Sequence, residues 1–155
     1  MVQVTEPVIQ VEDLINDPNF NPSEYHGYVY CTLDTTTGKQ YIGKKAFFHN
    51  KKHKLTQKQL AEQTGPGRKP KFEVIQSESD WQTYWGSNKQ LLADIKQYGE
   101  ENFTCWIYKQ CKTKKQLTYY EMHYQCKYEC LTSPSLSYND NILGKFFTRD
   151  LIVAE

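Results

Sequence analysis

The segment from Gly27 to Lys45 constrains the fold of this chain more than any other part of its sequence. It begins with an alternating run of β-prone residues, passes through a turn rich in Thr and Gly at 35–38, and continues with a second short run that closes on a glycine. This pattern predicts a β-hairpin. Because the two ends of a hairpin lie side by side, we expect Tyr30 to lie near Tyr41. Two phenols followed by Gly43 and two lysines indicate a surface that meets a phosphate group.

The charge of the chain is nearly balanced overall but unevenly distributed. Nineteen Lys and Arg residues against 18 Asp and Glu residues give a formal net charge of +1, which argues against a protein that merely coats DNA. Residues 1–24 carry five acids and no base, whereas residues 39–71 carry ten bases and the single acid Glu62. A lysine-rich segment alone is usually a solvated surface. Directly after the tyrosine hairpin, it favours an electrostatic track for a nucleic-acid backbone.

The length of 155 residues predicts about one domain, and the 14% aromatic content favours a folded chain over a disordered one. No apolar run approaches the ~18 residues that a membrane span needs, and the first residues lack the features of a signal peptide. We therefore expect a soluble, cytoplasmic protein with no membrane partner. Five cysteines without a secretion signal are expected to be reduced. A zinc site on one helix face, formed by His123, Cys126 and Cys130, is the alternative, although no CxxC pair accompanies it.

Turn and periodicity signals divide the chain into an N-terminal extension (1–25), one main domain (26–147) and a C-terminal tail (148–155). The extension is expected to hold a short helix or strand near Val8–Ile15. Beyond the hairpin, the predicted elements are a lysine-rich helix at Leu55–Gln63, a helix at Lys89–Tyr98 with a cap at Ser87 or Asn88 and a stop at Gly99, a strand at Phe103–Tyr108, and a helix at Lys114–Cys130 capped by Thr113. This order predicts an α+β fold with a small, mainly antiparallel three-stranded sheet flanked by helices.

The motifs of the chain resemble, in order, those of the GIY-YIG nuclease family, especially its free-standing phage and homing-type members. The first family triplet ends in tyrosine, as in Tyr-Val-Tyr at 28–30, and the second is present literally as Tyr-Ile-Gly at 41–43. The passage at 84–103 and the Tyr-Asn pair at 138–139 match later family motifs. The resemblance covers residues from about 27 to 141, most of the chain.

The resemblance implies a metal-dependent DNA endonuclease that leaves a 5′-phosphate and a 3′-hydroxyl. Glu121, on the last predicted helix, would hold a single Mg²⁺, for which Mn²⁺ can substitute. Tyr30 would activate water as general base, Tyr41 would orient the water or share its proton, and Asn139 would brace the site. Lys44 is the local cation that could favour a phenolate. Without an attached recognition domain, the protein could cut with low specificity, read DNA through its own loops, or act as a homodimer.

The usual family arginine, about ten residues beyond the second tyrosine, has no direct counterpart. That position is Lys51, and the first arginine of the chain is Arg68. Either Lys51 substitutes with a weaker, non-bidentate grip, or Arg68 reaches the phosphate. We favour Arg68, because a guanidinium fork suits a phosphoryl group. The predicted DNA-binding residues are Lys45, Lys51, Lys52, His53, Lys54, Lys69 and Lys71.

Each predicted site residue also has a simpler structural explanation. Tyr30 and Tyr41 could be a cross-strand aromatic pair, Glu121 a helix-surface acid, and Asn139 a turn cap. For the whole protein, the alternative is a catalytically inactive nucleic-acid-binding module on the same fold. The missing arginine favours that alternative.

Overall fold

The computed structural model describes residues 9–152, so Val8 of the predicted N-terminal element and residues 153–155 of the predicted tail lie outside the described residues. The strands are β1 (Ile9–Gln10), β2 (Gly27–Asp34), β3 (Gln40–Ala46), β4 (Phe48–Lys54), β5 (Phe72–Glu78), β6 (Phe103–Cys111), β7 (Asn141–Ile142) and β8 (Phe146–Phe147). The helices are α1 (Val11–Asn16), α2 (Gln57–Ala61), α3 (Lys89–Tyr98), α4 (Lys114–Lys127) and α5 (Thr148–Leu151). The chain divides into two compact units. The hairpin unit is 48–79, and the main unit is formed by the described residues on either side of it.

The main unit is built on an antiparallel sheet with the strand order β1-β6-β2-β3. The predicted hairpin is confirmed as β2 and β3, which pair Tyr30 with Gly43 and Thr32 with Tyr41. The α+β prediction is also confirmed, but the sheet has four strands where three were expected. The additional strand β1 pairs Ile9 with Ile107. The short helix or strand expected near Val8–Ile15 is therefore found, in the described residues, as β1 followed by α1. Two residues are too few to show a period-two pattern, so the sequence did not indicate that β1 joins the sheet.

The two faces of the main sheet are covered by different elements. Helix α4 packs on one face, where its Leu117 joins a core cluster with Val29, Cys31 and Ile42. Successive residues of a strand point to opposite faces, so Tyr28, Tyr30 and Thr32 point away from α4. Helix α3 and the segment 81–85 lie on that second face. There the Tyr28 hydroxyl donates to the Trp81 carbonyl (3.2 Å), and the Thr32 hydroxyl donates to the Trp85 carbonyl (2.5 Å).

The predicted helices of the main unit are confirmed, together with their caps. The Asn88 side chain accepts a hydrogen bond from the Leu91 amide (2.9 Å) at the start of α3, and Gly99 ends this helix. The Thr113 side chain accepts from the Gln116 amide (3.1 Å) at the start of α4. Helix α4 ends at Lys127, three residues earlier than predicted. Within residues 9–152, no helix is both long and apolar enough to cross a membrane.

The hairpin unit consists of β4 and β5, paired antiparallel from Phe48↔Glu78 to Lys54↔Phe72, with α2 between them. The lysine-rich helix predicted at Leu55–Gln63 is confirmed as α2, whose N-cap is Thr56. The two flanking strands were not predicted. Every residue of β5 is exposed, and only the first residue of β4 is partly covered. A strand without a buried face has no reason to alternate apolar and polar residues, so the usual sequence signal is missing.

Candidate active site

The candidate site lies along the free edge of β3, which is the outer strand of the main sheet. The outward-pointing backbone groups of such a strand need partners from outside the sheet. The Gln40 carbonyl accepts from the Tyr138 amide (2.8 Å). The Ile42 amide and carbonyl both bond to the side chain of Asn139, and the Lys44 amide donates to the carboxylate of Glu121. The outer edge of β3 therefore brings together Tyr138, Asn139 and Glu121, of which Asn139 and Glu121 are predicted site residues.

Asn139 acts on this edge as a substitute for a further strand. Its side-chain oxygen accepts from the Ile42 amide (2.9 Å), and its side-chain nitrogen donates to the Ile42 carbonyl (2.8 Å). Gln125 of α4 donates to the same carbonyl (3.0 Å). The Asn139 backbone amide in turn bonds to the Ser137 hydroxyl (3.1 Å), and the residue is only 7% exposed. Asn139 is thus held firmly and uses both ends of its amide on the protein backbone.

Glu121 lies in a cleft of about 740 Å³ beside this edge. The cleft is lined by Tyr41, Ser87, Asn88, Lys89, Gln90, Glu121, Gln125, Asn139, Asp140, Asn141 and Leu143. Burial raises the pKa of Glu121, and this rise is opposed by the Lys44 ammonium and by the hydrogen bond from the Lys44 amide. A carboxylate that has lost part of its hydration next to open space is a group that a cation can stabilise.

The two motif tyrosines are close together but differ in access to the cleft. Their ring centroids lie 6.2 Å apart. Tyr41 lines the cleft, and its hydroxyl shares a hydrogen bond with the Ser87 hydroxyl (3.1 Å). Burial raises the pKa of Tyr41, the bond with Ser87 lowers it, and the nearby Glu121 carboxylate raises it. Tyr30, by contrast, is only 1% exposed, and burial, followed by the proximity of Tyr41 and Tyr84, raises its pKa well above the usual value.

Gly43 makes the tight packing of these tyrosines possible. A Cβ atom at this position would lie 2.6 Å from the Tyr30 hydroxyl oxygen and 3.1 Å from a ring carbon of Tyr41. The Tyr30 ring cannot move aside easily, since it also packs edge-on against the rings of Tyr28 and Tyr84, with centroid distances of 6.0 Å and 5.8 Å. Gly43 is therefore required by a close approach of side chains. It does not end the strand, as the sequence suggested, because β3 continues to Ala46.

The two predicted lysines after Gly43 have different surroundings. Lys44 is exposed, and its ammonium donates a hydrogen bond to the Thr118 hydroxyl of α4 (3.0 Å). The same ammonium lowers the pKa of Glu121, which also lies on α4. Lys45 forms an ion pair with Asp80 (2.6 Å) and lies 3.8 Å from the centre of the Tyr84 ring. Its side chain is only 11% exposed. These partners hold the Lys45 ammonium within the main unit, which leaves it little surface for the DNA contact predicted from the sequence.

The remaining predicted cations belong to the hairpin unit. Lys51, Lys52, His53 and Lys54 follow one another on β4, and all four are exposed. His53 pairs across the ladder with Glu73, and its Nδ1 lies 3.3 Å from the Glu73 carboxylate. Arg68, Lys69 and Lys71 lie on the exposed segment between α2 and β5. The Lys69 ammonium bonds to the Gln63 carbonyl (2.5 Å).

The side chains that line the cleft include the oxygen-bearing groups of Glu121, Asp140 and Asn141 and no cysteine or histidine. Within residues 9–152, no group of three or more His, Cys, Asp and Glu side chains comes together as a ligand cluster. The alternative zinc site therefore has no support there, and Cys126 is exposed whereas Cys130 is buried. Magnesium usually binds through one or two carboxylates and keeps several waters. The side-chain oxygen of Gln125 is buried without a hydrogen-bond partner among the described residues.

Several cleft residues were not identified from the sequence. The sequence predicts Ser87 only as a candidate helix cap, whereas in the structure its hydroxyl shares a hydrogen bond with the Tyr41 hydroxyl. Gln125 and Asp140 also line the cleft. Gln125 lies four residues after Glu121, one turn further along α4, so helical spacing could have indicated it. Asp140 and Leu143 follow the Tyr-Asn motif in a loop and a short hairpin, where no periodic pattern predicts side-chain direction.

A comparison with protein families gives one match over most of the chain. The family described as "Putative endonuclease segE, GIY-YIG domain" matches residues 13–142. The match spans strands β2, β3 and β6 of the main sheet, the hairpin unit, α3, α4 and the Tyr-Asn motif. No curated protein and no solved structure matches the chain.

Proposed function

The chain belongs to the GIY-YIG endonuclease family, and from this premise we propose that it hydrolyses DNA phosphodiester bonds in the cleft beside β3 with the help of a divalent metal. One observation carries the proposal. The carboxylate of Glu121, the hydroxyl of Tyr41 and the amide of Asn139 line a single cleft, although they come from a helix, a strand and a loop. A nuclease needs an acidic metal ligand, a group to position water and a rigid support in one place.

Glu121 is the proposed metal ligand, with Mg²⁺ as the ion and Mn²⁺ as a substitute. When bound, such an ion supplies positive charge beside the phosphate oxygens. Its binding would also offset the partial loss of hydration that raises the pKa of Glu121. The Lys44 ammonium and the hydrogen bond from the Lys44 amide both favour the charged form of Glu121, which is the form that a metal ion needs.

The two tyrosines are proposed to act together on the attacking water. Tyr41 faces the cleft and can contact this water directly, whereas Tyr30 lies buried behind it. A general base must be within hydrogen-bond reach of the proton that it takes, directly or through one intermediate group. Tyr30 can therefore take part only through an intermediate group, and its burial, which raises its pKa well above the usual value, opposes the phenolate that a general base would need. The bond with Ser87 holds the Tyr41 hydroxyl in place and opposes the rise in its pKa that burial causes.

Lys44 and Arg68 are proposed to neutralise the scissile phosphate. Lys44 is exposed on β3 next to Glu121 and already acts on that carboxylate. Arg68 is exposed in the hairpin unit, as is its competitor for the role, Lys51. Cleavage rates of Arg68→Gln and Lys51→Gln at saturating DNA decide which of the two residues binds the scissile phosphate. Once binding is complete, only loss of the phosphate-binding cation lowers the cleavage rate.

The test is the cleavage of supercoiled plasmid by Glu121→Gln with Mg²⁺ or Mn²⁺. We expect a fall in rate of about 100-fold or more, since metal-assisted charge stabilisation is worth several kcal/mol. DNA affinity should stay within about threefold, because the hairpin unit is unchanged. The matched control is Glu129→Gln, which removes an exposed acid just beyond α4 and should cut at the wild-type rate. Undiminished cleavage by Glu121→Gln would overturn the proposed role of this residue.

A catalytically inactive DNA-binding module is the second candidate, and the lysine at position 51 favours it. It predicts that the unaltered protein binds plasmid but leaves it intact with either metal ion. The same assay decides between nicking and double-strand breaks, since a nicked circle and a linear product migrate differently. A linear product formed without a nicked intermediate would favour a homodimer.

A further inference from the structure

The short hairpin of β7 and β8 carries an unusual turn at the mouth of the cleft. The Lys145 amide donates to the Ile142 carbonyl (3.1 Å), which closes a four-residue turn. Its two central residues, Leu143 and Gly144, have φ angles of +58° and +64°. Positive φ at both central positions is the requirement of a type I′ turn, in which Asn-Gly and Asp-Gly are strongly preferred.

Neither the backbone nor the core explains a leucine at this position. A left-handed conformation is unfavourable for a residue with a branched apolar side chain. The Leu143 side chain does not recover this cost by burial, because it is 43% exposed. The turn itself is supported by the Asn141 side chain, which accepts from the Gly144 amide (3.0 Å). A strained residue kept at a functional site is a reason to look for a function.

Leu143 stands between the catalytic cleft and a second, shallower groove. It lines the cleft that contains Glu121. It also lines a groove of about 480 Å³, together with Lys114, Lys115, Thr118, Tyr119 and Met122. The lining residues of this groove include two exposed lysines and no acid. The exposed Phe146 and Lys145 follow in the same hairpin. An apolar tip surrounded by cations next to a catalytic carboxylate suits a duplex better than a protein partner.

We propose that Leu143 is an apolar wedge that enters between two base pairs of duplex DNA bound in the cleft, while Lys114 and Lys115 hold neighbouring phosphates. This inference rests on the proposed endonuclease function. Proteins that insert Leu, Phe or Met side chains in this way unstack a base step and kink the duplex. Because Leu143 and Glu121 line the same cleft, the unstacked step would lie beside the proposed metal ligand. Steps that unstack easily, such as TA and CA/TG, would then be cut in preference to stiff A-tracts.

The test compares Leu143→Asn with Leu92→Asn on two substrates. Leu92 is also 43% exposed but does not line the cleft. The substrates are an intact duplex and the same duplex with a two-base mismatch at the cleavage step, which is already unstacked. We expect Leu143→Asn to cut the intact duplex about 10-fold more slowly and the mismatched duplex within about twofold of wild type. Leu92→Asn should match wild type on both. An equal loss on both substrates, or no loss on either, would overturn the wedge.

A second measurement keeps this test independent of cleavage. A duplex with 2-aminopurine at the proposed insertion step is bound by Glu121→Gln, and its fluorescence should rise as the base unstacks. The rise should disappear in the double variant that combines Glu121→Gln with Leu143→Asn. The melting temperature of this double variant should be no lower than that of Glu121→Gln, since Asn suits the turn. A rise in fluorescence with no cleavage by the unaltered protein would reject the endonuclease and keep the wedge. Cleavage without any rise would reject the wedge alone.

Discussion

In the main unit, seven of the eight residues of β2 are buried, whereas every residue of β5 in the hairpin unit is exposed. The charges differ in the same way. The hairpin unit carries seven Lys and Arg residues and three acids, a net of +4, so the rest of the chain carries −3. The main unit is constrained by packing and by hydrogen bonds along the edge of β3. The residues of β4 and β5 are almost all exposed, so most positions on these strands can carry charged side chains without disrupting a core.

This difference predicts that substitutions in the two units affect different measured properties. Changes in the main unit should lower the free energy of unfolding and the cleavage rate together, because the same contacts hold the fold and the site. Changes in the hairpin unit should lower DNA affinity and leave stability unchanged.

The largest effect is expected from Gly43→Ala. Its new methyl group would lie 2.6 Å from the Tyr30 hydroxyl oxygen in a fully packed interior. We expect the free energy of unfolding to fall by about 3 kcal/mol, the upper end for overpacking of a core, with loss of cleavage. Urea denaturation measures the first quantity. Adding Tyr30→Phe removes the clashing oxygen, so the double variant should recover part of the loss. Equal stability of the single and double variants would contradict this explanation.

Next in size is the effect of Asn139→Ala, which removes both hydrogen bonds to Ile42. Leaving a buried amide group of the edge strand unpaired should cost about 2 kcal/mol of unfolding free energy. Asn50→Ala is the matched change in the hairpin unit, since Asn50 is exposed on β4. It should alter stability by less than about 0.5 kcal/mol. Similar urea midpoints for the two variants would remove the proposed contrast between the units.

The smallest change in stability, but a clear change in binding, is expected when Lys51, Lys52 and Lys54 are all replaced by Gln. The free energy of unfolding should change by less than about 0.5 kcal/mol. DNA affinity should fall, and the slope of log K against log salt should become shallower by about 2 to 3 units as three phosphate contacts are lost. Fluorescence anisotropy over a salt series measures both effects.

The control for this triple variant replaces three exposed lysines of the main unit that do not line the cleft, Lys96, Lys112 and Lys127. It changes the net charge by the same amount. If both triple variants lose affinity equally, binding depends on total charge, and the hairpin unit has no special part in it.

The fold of the main unit could be predicted well where its signals are local. Asn88 and Thr113 cap α3 and α4 as expected, because a cap depends on residues three positions apart. The hairpin of β2 and β3 follows from alternation and a turn, which are also local. The strands of the hairpin unit were missed, since exposure on both faces leaves no pattern to detect.

The candidate site could be predicted only in part. Tyr41, Glu121 and Asn139 were identified, and they line one cleft. The burial of Tyr30 and the ion pair of Lys45 with Asp80 could not be foreseen, since both depend on the segment 80–85, which lies far along the chain. Nothing in the sequence indicated the strain at Leu143, because a Leu-Gly pair does not by itself predict a type I′ turn.

The sequence by itself determined the family, the tyrosine hairpin and the capped helices, since each follows from motifs and periodicities within short stretches of chain. Only the tertiary structure decided which side chains complete the free edge of β3 and which tyrosine reaches the cleft. The bonds between Ile42 and Asn139 join residues 97 positions apart. Unpaired backbone groups on an edge strand must find partners, but the chain can supply them from any element that folds against that edge.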